Sequence, residues 1–236
     1  VKILTSDGIL IGGGVLVKKD TVLTCAHVVG DALHIPEDKR KKDEIPQAPV
    51  QVSFLSAPSA MVDAQVESWD PGDQEDWAVL KLSCPAPVQC KMARLSSNST
   101  PAYGACNFWI YGFPDIEFES DDKFGIWVQT AYEGVNEAHL WQIQALRSDG
   151  VQVQEGFSGC PVWDDANQLI GIVLMAGEDY GLGFILPARK ILLSPSFGIY
   201  LQSSSTTPTS EKIPASKPRR PTMQTRTNWL KGHGLI

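Results

Sequence analysis

Gly156-Phe157-Ser158-Gly159-Cys160-Pro161-Val162-Trp163 places a serine between two glycines, immediately ahead of an apolar run. Beyond Trp163 come the polar residues Asp164 to Gln168 and then Leu169-Ile170-Gly171-Ile172-Val173-Leu174-Met175. Apolar run, polar turn, apolar run is the signature of a β-hairpin. Ser158 therefore precedes a strand, and does not sit on the strand-to-helix elbow that a Gly-x-Ser-x-Gly hydrolase builds.

Two further strings lie upstream, Thr24-Cys25-Ala26-His27 and Asp76-Trp77-Ala78-Val79-Leu80. A serine hydroxyl is a weak nucleophile at neutral pH, so it needs a base within hydrogen-bond reach and a third group that fixes the tautomer of that base. His27, Asp76 and Ser158 supply those three residue types. Stabilising an oxyanion takes preorganised donors, here the N–H of Ser158 and that of Gly156 two residues before it, on a turn that glycine adopts without Cβ strain. Asp70 and Asp73 compete with Asp76 for the third role, but only Asp76 opens a strand-like run, Trp77 to Leu82.

Elsewhere the pattern is of short strands. Apolar runs cover Ile9 to Val17 and Thr21 to Val29 around the turn Lys18-Lys19-Asp20, followed by Val50 to Leu55, Met61 to Trp69 and Trp77 to Leu82. Gly104 to Pro114 and Phe124 to Tyr132 are expected to begin a second unit that carries Ser158. The mixed-sign run Glu37 to Glu44 reads as a solvated loop, and His34, His139 and His233 as ordinary surface or loop histidines.

In this combination the chain resembles a trypsin-like serine peptidase of the chymotrypsin fold, nearer to short bacterial and HtrA-like forms than to digestive enzymes. The matching pieces are Gly12-Gly13-Gly14-Val15-Leu16-Val17, Thr21 to Val29, Asp76 to Leu82, Glu155 to Trp163 and Gly181 to Pro187. The resemblance implies an all-β fold of two six-stranded antiparallel Greek-key β-barrels with the active site between them. It also implies a His27-Asp76-Ser158 triad that cuts peptide bonds through an acyl-serine. Cofactor and metal are not expected. The primary pocket would have Gln152 at its floor and Met175-Ala176-Gly177 as its wall, which offers no carboxylate for a basic side chain. Glu155, Glu178 and Asp179 lie nearby in sequence, yet the expectation is a neutral or polar-to-apolar residue at the cleavage position.

Departures from the family pattern are informative. Zymogen-activated relatives carry an aspartate just before the nucleophile, where this chain has Phe157, so activation by an ion pair there is excluded. The cysteine that usually follows the catalytic histidine is replaced by Val28. Five cysteines, Cys25, Cys84, Cys90, Cys106 and Cys160, leave at least one thiol free. Cys84 and Cys90 either pair across a loop or are small buried apolar groups. Cys160 as nucleophile would put the glycines out of register, so it is expected to pack beneath the active-site loop. The odd count and absence of a secreted framework point to a reducing, cytoplasmic setting, with secretion as the open alternative because the natural N-terminus is absent.

A chain of 236 residues with 43% hydrophobic content suits one all-β domain. No apolar run approaches the ~18 residues of a membrane span. It begins without methionine, which reads as a removed segment or an excised fragment. Residues 1–201 are expected to form the peptidase domain and 202–236 a Ser/Thr/Pro-rich basic linker or tail, leading to a regulatory domain further on. That linker holds six Lys/Arg against one Glu, a net +5, leaving −12 for the body given −7 overall. Nucleic-acid binding is not expected from it, since Trp229 is its only aromatic residue. Gly-Phe-Ser-Gly followed by Pro-Val-Trp-Asp is similar to peptidase modules of bacterial multidomain signalling and defence proteins, which implies a regulated effector with a protein or peptide substrate. The alternatives are a catalytically silent peptide-binding scaffold and an HtrA-like quality-control protease.

Overall fold

Strands whose side chains alternate between core and solvent must pair into sheets that close on themselves or bury one face. The computed structural model describes residues 1–72, 75–96, 101, 107–114, 125–146, 150–176 and 182–193. The expected linker, Asp73, Cys106, Gly177, Glu178, Asp179 and His233 lie outside the described residues.

The first sheet comprises β1 (Lys2–Leu4), β2 (Leu10–Gly13), β3 (Val15–Lys18), β4 (Thr21–Thr24), β5 (Val50–Phe54), β6 (Ala57–Asp70) and β7 (Trp77–Leu82). Its order is β2-β1-β5-β6-β7-β4-β3, antiparallel throughout. The two edge strands, β2 and β3, are separated only by Gly14. The expected run Ile9 to Val17 is thus one segment bent at Gly14, and the sheet curls so that its edges are joined by the chain. Along β6, Val62, Ala64 and Val66 face inward while Asp63, Gln65 and Glu67 face solvent, the alternation a half-buried strand requires.

The second unit is a closed barrel of six strands in the order β10-β13-β12-β11-β8-β9. They are β8 (Asn107–Gly112), β9 (Ile126–Val135), β10 (Trp141–Ala145), β11 (Pro161–Trp163), β12 (Leu169–Ala176) and β13 (Leu182–Pro187). The hairpin expected after Ser158 is β11–β12, with Val162 opposite Gly171. Two short α-helices, α1 (Ala26–Ala32) and α2 (Ala188–Leu193), and one 3-10 turn at Glu37–Lys39 complete the elements among the described residues. The first corrects the expectation of one strand from Thr21 to Val29, because the chain leaves β4 at Thr24 and turns helical.

Strand β12 explains how the two units hold together. Ile170 and Val173 belong to the core of the second barrel, whereas Leu169, Ile172 and Leu174 join the core of the first. A strand buried on both faces reads as a continuous apolar run, as Leu169 to Met175 does. Each fully buried aliphatic side chain there contributes about 1.5–3 kcal/mol, so barrel contact and barrel core rest on the same strand.

Candidate active site

His27 is the second residue of α1, and Asp76 is the last residue before β7. Strand β4 pairs with β7, Thr24 opposite Ala78, so the end of one and the start of the other are adjacent. This pairing brings His27 and Asp76 together across 49 positions of sequence. The Asp76 carboxylate accepts the His27 backbone N–H at Oδ1 (2.8 Å) and meets the ring Nδ1 at Oδ2 (2.5 Å). Both side chains are largely withdrawn from solvent, which strengthens the contact. Asp70, the rival, is bonded instead to Lys42 and to the Gly72 N–H.

Ser158 lies on the turn that leads into β11. Within it the N–H of Phe157 donates to Gln154 O (3.1 Å), that of Gly159 to Val173 O (2.8 Å) and that of Cys160 to Phe157 O (3.0 Å). The N–H groups of Gly156 and Ser158 have no acceptor among the described residues. Two donors two residues apart, left open beside a serine, are what an oxyanion site needs. Gly156 has φ +87°, and a Cβ there would stand 2.0 Å from Phe113 O, so only glycine fits. The Ser158 hydroxyl points to Leu174 O at 3.5 Å and makes no hydrogen bond to His27 among the described residues.

The turn is tied to the first barrel by a residue that sequence reasoning treated only as part of a matching string. The Gly13 N–H donates to Ser158 O (2.8 Å), and the buried Thr24 hydroxyl donates to Gly13 O (2.6 Å). A Cβ on Gly13 would lie 2.2 Å from Cys160 Sγ. The signal was present in the run Gly12-Gly13-Gly14, whose lack of side chains lets β2 approach the nucleophile turn this closely.

Phe157 is fully buried, its ring against Gly112, and packs in the second barrel's core. The Val1 ammonium donates to Gly14 O at 2.9 Å. Of the pocket candidates, Gln152 is half-buried, Met175 is 47% exposed and Ala176 is partly buried opposite Gly183. Val153 Cγ1 would lie 3.1 Å from a Cβ on Gly183, which sets the segment carrying Gln152 beside the β12–β13 edge.

The four described cysteines are all free. Cys160 is buried beneath the turn, where burial pushes its thiol up to about 12. Cys84 is exposed and Cys90 partly buried, its Sγ 3.1 Å from Ser56 Oγ, so they are neither paired nor both in a core. His34 and His139 are exposed, as expected. Cys25, His27 and Asp76 bring one ligand atom each within 4.8 Å of the others. A metal would need a thiolate, whereas burial and then the Asp76 charge raise the Cys25 thiol well above its usual range, and it donates to Val173 O. The Asp76 oxygens are already engaged by His27, so this donor set is committed to hydrogen bonding.

The sequence profile of the trypsin-like peptidase domain matches residues 12–172. A search of curated proteins finds no match. Among solved structures, the serine endoprotease from Yersinia pestis is similar with a TM-score of 0.57 at 22% identity, over 80% of this chain and 59% of that one. A protease from M. tuberculosis in its active form gives 0.56 at 20% identity, over 89% and 81%. The HtrA-type protease AlgW, solved with a decapeptide, gives 0.57 at 20%, over 77% and 49%. This chain thus spans little more than half the length of the first of these and about half of the last.

Proposed function

We propose that this chain, which belongs to the trypsin-like peptidase family, is a serine endopeptidase with His27, Asp76 and Ser158 as its triad. The observation that carries the reading is the pair of open N–H groups at Gly156 and Ser158, in a turn where the Phe157, Gly159 and Cys160 amides are all bonded.

In the reaction, Ser158 Oγ attacks the peptide carbonyl while His27 Nε2 takes the hydroxyl proton. Asp76 holds the Nδ1 proton and offsets the charge on the imidazolium. The carbonyl oxygen, now negative, accepts from the Gly156 and Ser158 amides. His27 then gives its proton to the leaving amine, and water repeats the sequence on the acyl-serine. The hydroxyl must first turn from Leu174 O toward His27, a tightening common on substrate binding. Beyond Val173, the side of β12 turned away from β13 has no strand partner among the described residues. An extended substrate peptide would add there as a strand, beside Met175 and Ala176. The exposed Met175 supports a neutral or apolar residue at the cleavage position.

The silent peptide-binding scaffold is the second reading, favoured by the Ser158 hydroxyl's contact with Leu174 rather than His27. Nothing among the described residues or the comparisons supports a regulatory or defence role, so the reading stops at peptide hydrolysis. Intact mass after fluorophosphonate treatment separates the two. One adduct on the parent and none on Ser158→Ala or His27→Ala supports the peptidase; no adduct on any version overturns it in favour of the scaffold.

A further inference from the structure

Asp76 has φ +29°, a left-handed conformation that a non-glycine residue keeps only when its surroundings over-determine it. The connection from Asp70, at the end of β6, to Trp77, which pairs with it at the start of β7, carries that residue. Within it the N–H groups of Glu75 (3.0 Å) and Asp76 (2.9 Å) both donate to Gly72 O. That local turn is anchored at each end by an ion pair that the reaction does not use.

At the first end, Asp70 is a buried carboxylate paired with Lys42, and its Oδ1 accepts the Gly72 N–H at 3.4 Å. The Trp69 indole N–H donates to Lys41 O at 3.1 Å, so the charged segment is clipped to β6 at two consecutive residues. The run Glu37 to Glu44 is otherwise solvent-exposed, as expected, with only Arg40 half-buried. At the second end, Lys190 of α2 reaches Glu75 at 3.6 Å while donating to Ala138 O at 3.3 Å in the β9–β10 turn. The residue preceding Asp76 is thereby tied to elements of the second barrel unit.

Resting on the proposed peptidase reading, we infer that Asp70, Lys42, Glu75 and Lys190 are positioning residues. Their two ion pairs hold Gly72 and Glu75 in place, and with them the strained Asp76 backbone that meets His27. None of the four touches the substrate or the reacting atoms. Lys42 and Lys190 act through Asp70 and Glu75, these act through the Gly72 turn, and the turn acts on Asp76. Loss of either pair lets the Asp76 backbone relax, and the carboxylate then loses one of its two contacts with His27.

The test uses Lys190→Met and Lys42→Met, each beside its arginine version, in the full chain. The His27 ring is followed by NMR through its downfield Nδ1 proton, a readout that exists whether or not the protein cleaves peptides. Expected is loss or broadening of that proton signal in both methionine variants. Restoration is expected in Lys190→Arg and Lys42→Arg. Where turnover is measured, kcat falls about tenfold with KM unchanged. Lys190→Met alters a partly exposed side chain on an end helix, so the folded protein remains available if Lys42→Met fails to fold. An unchanged Nδ1 signal in folded Lys190→Met, or no recovery in the arginine versions, overturns the inference. A normal Nδ1 response with no fluorophosphonate adduct would instead sink the peptidase reading alone.

Discussion

Asp76 holds His27 by two separate atoms, Oδ1 on the backbone N–H at 2.8 Å and Oδ2 on the ring Nδ1 at 2.5 Å. The backbone contact fixes where the start of α1 lies, and the ring contact selects the tautomer whose Nε2 is free to take a proton. Asp76→Asn keeps the shape but places the wrong tautomer opposite Ser158. Turnover is expected to fall about 10⁴-fold with KM and thermal midpoint little changed. Steady-state kinetics beside a melting curve check this; a tenfold loss or less would remove Asp76 from the triad.

Gly156→Ala should separate the oxyanion site from the dyad. The new Cβ would meet Phe113 O at 2.0 Å, so the turn has to shift and the Gly156 amide moves with it. Losing one oxyanion donor costs about 10²–10³ in kcat. The rate of acylation by an activated ester measures that loss directly, while the His27 Nδ1 resonance stays as in the parent.

Phe157 stands where zymogen-activated relatives carry a charge, and here it anchors the turn by burial. Phe157→Ala empties a site against Gly112 and is expected to destabilise by about 3–5 kcal/mol. Phe157→Asp is expected to be worse, since it leaves an unpaired carboxylate in an apolar core. Urea unfolding of the two variants would rank them.

The thiols divide by burial. Cys84 should react with iodoacetamide at pH 8, whereas Cys25 and Cys160 should stay unmodified until the protein unfolds. Mass spectrometry under native and denaturing conditions reads both.

Burial of Cys160 also sets a pH dependence. Its folded thiol is raised from 9.0 to about 12, so the contribution is fully present below pH 9. Above that the unfolded chain ionises first and binds fewer protons, and stability falls by about 1.4 kcal/mol per pH unit toward pH 12. Cys160→Ala should flatten the alkaline slope of urea midpoints; an unaltered slope would mean the thiol is not buried as described.

Much of the candidate site was legible in the chain because its chemistry needs rare residue types in fixed local strings. Ser158 between glycines ahead of a hairpin, and His27 and Asp76 each at the border of an apolar run, are signals a few residues long. The helix at Ala26–Ala32 was missed because Val28 and Val29 suit a strand as well as a helix, and the choice depends on what they pack against. Cys84 was misread for the same reason, since exposure is not written in residue type. The roles of Gly13 and Thr24 depend on strands far apart in sequence, and no local pattern marks which backbone will pass the nucleophile turn.

By itself, the sequence determined the strand periodicity, the hairpin after Ser158, the residue types of the candidate triad and the replacement of a charge by Phe157. These follow from local sterics and side-chain chemistry, which act over a handful of neighbours. Only the tertiary structure decided that the β4–β7 pairing brings Asp76 to His27, and that Leu174 O holds the Ser158 hydroxyl. It likewise decided that Lys42 pairs with Asp70 and Lys190 with Glu75. Those facts belong to the closure of sheets, where the positions of distant strands come from the packing of a shared core.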